Sequence, residues 1–198
     1  AMRKLLQTWI DLWEDPAQDA ASPACVTPGL ERHFERLSAS GREESVVVPL
    51  CGRSPDLAFL ADRRLHVVGV ECSRRTIAKF AAEQGFELRV GDQPDTEAEL
   101  TSWFAGPCTI FEGDWFEATQ EVLGGAFDLA YDSGALVAVD PKRRADYAKV
   151  YQELLRGNCR LLLMAPEFDE ASVDAAAVAL GPHSLGVEEL QGLLPDFS

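Results

Sequence analysis

Cations are scarce in this chain: its 198 residues hold 18 Lys and Arg against 33 Asp and Glu, for a formal charge of −15. A surface so anionic repels phosphate backbones and anionic bilayers on average, so neither nucleic acid nor membrane is an expected partner. An enzyme acting on DNA or RNA would need a positive groove, which this composition does not readily supply. The dense basic clusters Arg63-Arg64, Arg74-Arg75 and Lys142-Arg143-Arg144 are read as solvated helix faces or turns. Histidine is also rare. His33, His66 and His183 have no H-x-x-x-H or H-E-x-x-H spacing, so no metal is expected. With G-x-S-x-G absent as well, a serine hydrolase is disfavoured. The five cysteines are an odd number without C-x-x-C, which excludes a disulfide framework and a zinc ribbon and points to a reducing cytoplasm. No apolar run reaches the roughly 18 residues of a membrane span. The basic start Met2-Arg3-Lys4 leads into an apolar stretch that Asp11 ends, too short for a signal peptide.

What is present is the composition of one soluble domain, 46% hydrophobic and 26% charged. At this length a domain buries roughly 70% of its unfolded surface, so its stability can rest on an apolar core. Leu5, Leu6, Trp9, Leu12 and Trp13 recur at helical spacing, followed by an Ala/Pro/Ser-rich loop to Pro28 and a helix over 30–37. Residues 46–50, all apolar and mostly β-branched, read as a buried strand; Ser54 and Pro55 then cap and open a helix carrying Leu57, Leu60 and Ala61. A second strand over 66–71 precedes a helix capped by Ser73 and stopped at Gly85. Further strands are expected over 109–112, 127–132 and 160–165. Between the last two, Asp140 caps a helix with Tyr147, Val150, Tyr151 and Leu154 as its buried stripe and Gly157 as its stop. Residues 86–90 suit strand or loop, and a helix is expected over 95–104. The alternation implies an α/β fold, a doubly wound and mostly parallel sheet with helices on both faces.

In such a sheet ligands bind beyond the carboxyl ends of the strands. After the first strand Cys51-Gly52-Arg53-Ser54 permits close approach of a ligand, but it is neither G-x-G-x-x-G nor a P-loop. Glu71 ends the second strand about twenty residues beyond that turn, where a carboxylate can accept ribose hydroxyls. Gly113-Asp114-Trp115-Phe116 follows the third, supplying an acceptor and a flat apolar group suited to a purine. Tyr131-Asp132-Ser133 closes the fourth. An ordinary strand-to-helix turn, a helix-dipole carboxylate and core aromatics are the alternatives for these positions.

Together the strand ends resemble the thiopurine S-methyltransferase family. The resemblance rests on Val48-Pro49-Leu50-Cys51-Gly52-Arg53-Ser54, Val67-Val68-Gly69-Val70-Glu71, the pair Trp9 and Trp13, Gly113-Asp114-Trp115-Phe116, and residues 131–141. It implies a Rossmann-like fold and S-adenosylmethionine as cofactor, leaving S-adenosylhomocysteine as product. It implies further that Leu50 and Gly52 pass beneath the methionine part, Glu71 holds the ribose, Asp114 and Trp115 frame the adenine, and Trp9 and Trp13 close over the cofactor. Asp132 and Ser133 become the catalytic candidates with Tyr131 beside them, and Ser133 also borders the cofactor. Residues 1–40 would form a helical lid and 41–198 the cofactor-binding domain. The chain departs from the family's pattern at Ser133, where arginine is usual, in the loop after Trp13, and in ending before the family's last two strands; a shorter fragment or a missing hairpin would each explain the ending.

Three functions follow: a methyltransferase acting on a small molecule such as a thiol or thiopurine sulfur; a relative that binds the cofactor with lost or altered activity, including a halide or thiocyanate acceptor; or a nucleotide-sugar or NAD domain, opposed by the missing glycines. A monomer or weak homodimer is expected. A pocket roofed by Trp13, Trp115, Phe168 or Leu185 would favour a flat aromatic acceptor.

Overall fold

The computed structural model describes residues 2–15, 24–40, 42–93, 99–172, 181–195 and 197. Among them, seven strands form one sheet: β1 (Ser45–Val48), β2 (His66–Glu71), β3 (Leu88–Val90), β4 (Thr101–Ala105), β5 (Cys108–Glu112), β6 (Phe127–Ser133) and β7 (Leu155–Met164). Their spatial order is β3-β4-β5-β2-β1-β6-β7. Strands β5, β2, β1, β6 and β7 run parallel, and β3 and β4 add an antiparallel hairpin beside β5. Strand order departs in opposite directions from β1, towards β2 on one side and β6 on the other. That reversal opens a crevice at the carboxyl ends of the strands.

Helices α1 (Met2–Glu14), α2 (Pro28–Leu37), α3 (Asp56–Asp62), α4 (Arg74–Glu83), α5 (Gln120–Leu123), α6 (Ala135–Ala138), α7 (Arg144–Leu154) and α8 (Val187–Leu193) complete the described architecture. The period of two along β1 divides the core between the sheet's faces. Val46 and Val48 pack with Leu30, Leu57, Leu60, Ile77 and Phe80 from α2, α3 and α4. Val47 faces the opposite way, joining Leu136, Tyr147, Tyr151 and Leu154 from α6 and α7. With both faces covered, β1 and β2 have no polar side to present, which explains their near-continuous valine.

Several local expectations change. Residues 101–105 lie in β4 rather than a helix, its alternate positions Trp103 and Ala105 being buried; 94–98 lie outside the described residues. Gly157 does not stop a helix: α7 ends at Leu154 and β7 continues directly through Gly157. Ser54 caps from one position earlier than expected, its Oγ accepting the Asp56 amide at 3.2 Å while Pro55 occupies the cap position. Asp140 caps a short 3-10 turn ahead of α7. Arg144 is buried, against the reading of its cluster as solvated. Ser73 does cap α4, accepting the Thr76 amide at 3.2 Å.

Candidate functional site

The site begins where β1 turns. Leu50 has φ 43° and Gly52 φ 57°. The left-handed region is open to glycine but costs an L-residue on the order of 1 kcal/mol, so the chain sustains strain at Leu50. The turn is tied to β2 by the Cys51 amide, which donates to the Val70 carbonyl at 3.0 Å, and by the Gly52 amide, which donates to Glu71 Oε2 at 2.9 Å. Gly69 makes room for this packing, since a Cβ there would lie 2.7 Å from Cys51 Sγ.

Glu71 is buried, and its Oε1 accepts the Ser73 amide at 2.9 Å. Burial raises its pKa, while bonds from Ser73, Cys72 and Gly52 oppose the rise. Each carboxylate oxygen accepts at more than one lone pair, so acceptor capacity remains for a ligand. Beside it Asp114 accepts the Phe116 amide at 3.1 Å and opens a 3-10 turn. Trp115 packs on Tyr147 and Tyr151 with ring centroids 5.5 and 5.3 Å away, and its buried Nε1 has no partner among the described residues.

Two cavities follow. The first, about 70 Å³, is largely apolar and lined by Trp9, Leu50, Cys72, Asp114, Trp115, Phe116 and Arg143. The second, about 160 Å³, is lined by Trp13, Leu50, Gly52, Arg53, Asp56, Tyr131 and Ser133. Leu50 belongs to both walls. Trp9 and Trp13 are four residues apart on α1, so one helix face reaches both cavities. Arg75 donates to the Trp13 carbonyl at 2.8 Å and Ser73 Oγ to Glu14 Oε1 at 3.0 Å, fastening α1 to the start of α4.

Trp9, Leu50, Asp114 and Trp115 thus meet at the first cavity, and Trp13, Leu50, Gly52 and Ser133 at the second, with Glu71 bonded to the turn between them. Asp132 does not join them, against its expectation as a catalytic group. Strand alternation turns Tyr131 and Ser133 to the cavity and Asp132 into the opposite core. There its oxygens accept from the Ala135 amide at 2.8 Å, the Leu136 amide at 3.2 Å, and the hydroxyls of Tyr147 at 2.8 Å and Tyr151 at 3.1 Å. Phe168 and Leu185 line neither of these cavities, and Trp13 and Trp115 line different ones, so among the described residues neither cavity has the anticipated common roof.

Arg143, Asp56 and Cys72 escaped the sequence reading. The Arg143 guanidinium stacks 3.5 Å from the centre of the Phe116 ring, a partner 27 positions away that no spacing rule connects. Asp56 could have been suspected as a carboxylate in the first turn of a helix leaving a central strand.

The sequence profile of the thiopurine S-methyltransferase family matches residues 5–195. The chain belongs to this family. A thiopurine S-methyltransferase of Pseudomonas putida is 34% identical over 183 residues, 92% of this chain and 79% of the relative. One from Aliivibrio salmonicida is 34% identical over 87% of this chain and 75% of its own length. Membership in the family makes the chain an S-adenosylmethionine-dependent methyltransferase of small molecules. Solved structures share the fold. A TehB-like S-adenosylmethionine-dependent methyltransferase from Corynebacterium glutamicum aligns with a TM-score of 0.56 at 12% identity, covering 94% of this chain and 79% of that one. The 1,6-didemethyltoxoflavin-N1-methyltransferase of Burkholderia thailandensis, solved with bound 1,6-didemethyltoxoflavin and S-adenosylhomocysteine, aligns with a TM-score of 0.51 at 18% identity over 85% of this chain and 62% of that one. Among the described residues, no helix is long and apolar enough to cross a membrane.

Proposed function

We propose that the chain methylates the sulfur of a small thiol, a thiopurine or a related compound, with the cofactor lying across both cavities and the acceptor entering the second. The observation carrying this reading is that the cavities meet at Leu50 beneath a helix that brings Trp9 to one and Trp13 to the other. The donor set suits the cofactor: Asp114 for an exocyclic amine, Trp115 and Phe116 for a purine face, the remaining lone pairs of Glu71 for vicinal hydroxyls, and the unpartnered Trp115 Nε1 for an acceptor atom. When bound, S-adenosylmethionine supplies a methyl group activated by its sulfonium charge.

The protein's task is then to orient the acceptor and exclude water. Tyr131 and Ser133 orient it from β6, and Trp13 covers it from α1. The acceptor sulfur provides the electron pair of the new S–C bond, and its proton passes to solvent on ionisation. A thiol that ionises near neutral pH needs no general base. Asp132 acts at one remove, holding β6 and α6 so that Ser133 faces the cavity. Residues 1–40 act as the lid on a catalytic domain of 41–198. All five cysteines are free, in keeping with a cytoplasmic, reducing setting.

Calorimetry of the protein with S-adenosylhomocysteine, beside Glu71→Ala and a titration with NAD, tests the reading. Binding that Glu71→Ala weakens by about tenfold or more, with NAD silent, is the expected result, followed by turnover of small thiols. Absence of thioether binding would sink it.

A further inference from the structure

The first cavity holds a cation that the base-binding set of Asp114, Trp115 and Phe116 leaves unused. Arg143 is the one cation among the described residues lining it. Its guanidinium carbon lies 3.5 Å from the centre of the Phe116 ring, and that ring meets the buried Tyr147 edge-on, with centroids 6.3 Å apart. Arg143 is thus seated on an aromatic surface that the core itself fixes. An ion pair does not hold it there. Its Nε is 4.0 Å from Asp146 Oδ2, and the Asp146 side chain is 70% exposed against 20% for Arg143, so water screens the pair to little effect.

Stacking uses the face of a guanidinium and leaves its N–H bonds, which lie in the plane, to radiate from its edge. That edge offers hydrogen-bond donors and no acceptor. Asp114 offers the reverse. Its Oδ1 accepts the Phe116 amide at 3.1 Å, so Phe116 anchors both side chains, the carboxylate through its backbone and the guanidinium through its ring. An adenine ring calls for this pairing: its exocyclic amine donates, and the ring nitrogens on either side of that amine, N1 and N7, accept in the plane of the base. The base is neutral, so a cation at its edge meets no opposing charge. We propose that Arg143 is a binding residue for the cofactor's base, donating an in-plane N–H to one of these two nitrogens while Asp114 accepts from the amine between them. The proposal rests on the methyltransferase reading and adds a residue to its cofactor site.

The test is a calorimetric cycle in which the wild type and Arg143→Met are each titrated with S-adenosylhomocysteine and with its 1-deaza and 7-deaza analogues, where a C–H replaces the accepting nitrogen. The wild type is expected to bind at least one analogue about tenfold or more weakly than the parent thioether, because a hydrogen bond from a charged donor is lost. Arg143→Met keeps an apolar stem against Phe116 and removes the donors. It should weaken the parent by about tenfold and bind that same analogue within about twofold of the parent. Were Arg143 only a brace for Phe116, the variant would weaken all three ligands alike and leave the analogue's penalty in place, and that result overturns the proposal. It is overturned equally by a wild type that binds both analogues as tightly as the parent, or by an Arg143→Met that binds the parent as tightly as the wild type does. Failure of the wild type to bind S-adenosylhomocysteine overturns the cofactor reading, and this proposal with it.

Discussion

Glu71 Oε2 accepts the amide hydrogen of Gly52 at 2.9 Å, so the carboxylate that ends β2 also fixes the turn that leaves β1. Its burial raises its pKa. A carboxyl group with a raised folded pKa contributes stability below its unfolded pKa, and that contribution is lost as pH rises through the folded value. At neutral pH the native enzyme therefore sustains a cost that Glu71→Gln removes while keeping one acceptor oxygen for a backbone amide. Glu71→Gln is expected to melt at or above the wild type at pH 7, with the difference growing as pH rises from the acid range and then levelling. The same variant should bind S-adenosylhomocysteine less tightly. Thermal melts across pH and one titration check both, and a wild type that gains on Glu71→Gln with rising pH would contradict the argument.

Trp9 and Trp13 belong to one helix but line different cavities. Trp9→Ala should therefore act on the cofactor, weakening S-adenosylhomocysteine by about tenfold or more through lost aromatic contact. Trp13→Ala should act on the acceptor, raising its KM with a smaller change in cofactor affinity. Equal effects of both variants on both ligands would mean that α1 moves as one rigid cover rather than presenting two contacts.

The parallel centre of the fold was legible because valine runs bounded by turn residues have few alternatives to a buried strand. The strand ends were legible for the same reason: once β1, β2, β5 and β6 were placed, Leu50, Glu71, Asp114 and Ser133 necessarily fell on one edge. The β3 and β4 hairpin was less so, since 101–105 is a strand through its pairing with Cys108–Glu112 and not through a strong local pattern. The facing of Asp132 was missed because Tyr131-Asp132-Ser133 reads as polar throughout, and only the register of β6 reveals that its middle residue turns inward. Arg144 was misread for a similar reason, its carbonyl partners lying about forty residues downstream.

Asp132 separates a hydrogen-bonding role from a charge. Asp132→Ala leaves the hydroxyls of Tyr147 and Tyr151 and the amides of Ala135 and Leu136 without their shared acceptor, and should cost about 2–4 kcal/mol. Asp132→Asn keeps an acceptor for the amides, and the tyrosine hydroxyls can rotate to accept from its NH2. Burial raises the Asp132 pKa, so the wild type loses that part of its stability as pH rises through the folded value. The asparagine variant should therefore compare best with the wild type above that value and lose its advantage below it. Urea unfolding at several pH values measures this, and an asparagine variant as unstable as the alanine one would show that the charge itself is required.

Arg144 joins α7 to the chain around α8. Its guanidinium donates to Glu189 at 2.8 Å and to the carbonyls of His183 and Ser184 at 3.3 and 3.1 Å. It is 1% exposed whereas the Glu189 side chain is 46% exposed, so on loss of the arginine the glutamate regains water easily, while the two part-buried carbonyls lose the donors that the guanidinium supplies. Arg144→Met, which keeps most of the apolar stem, is expected to cost about 1–3 kcal/mol, chiefly from those carbonyls. Arg144→Lys should rescue little, because a single ammonium cannot span acceptors that the planar fork reaches together. The loss should be local first, with proteolysis and amide exchange accelerating across residues 181–193 before the sheet responds. Arg144→Met as resistant as the wild type in that segment would mean that Leu185 and Leu194, both buried in the α6 and α7 core, hold it without the arginine.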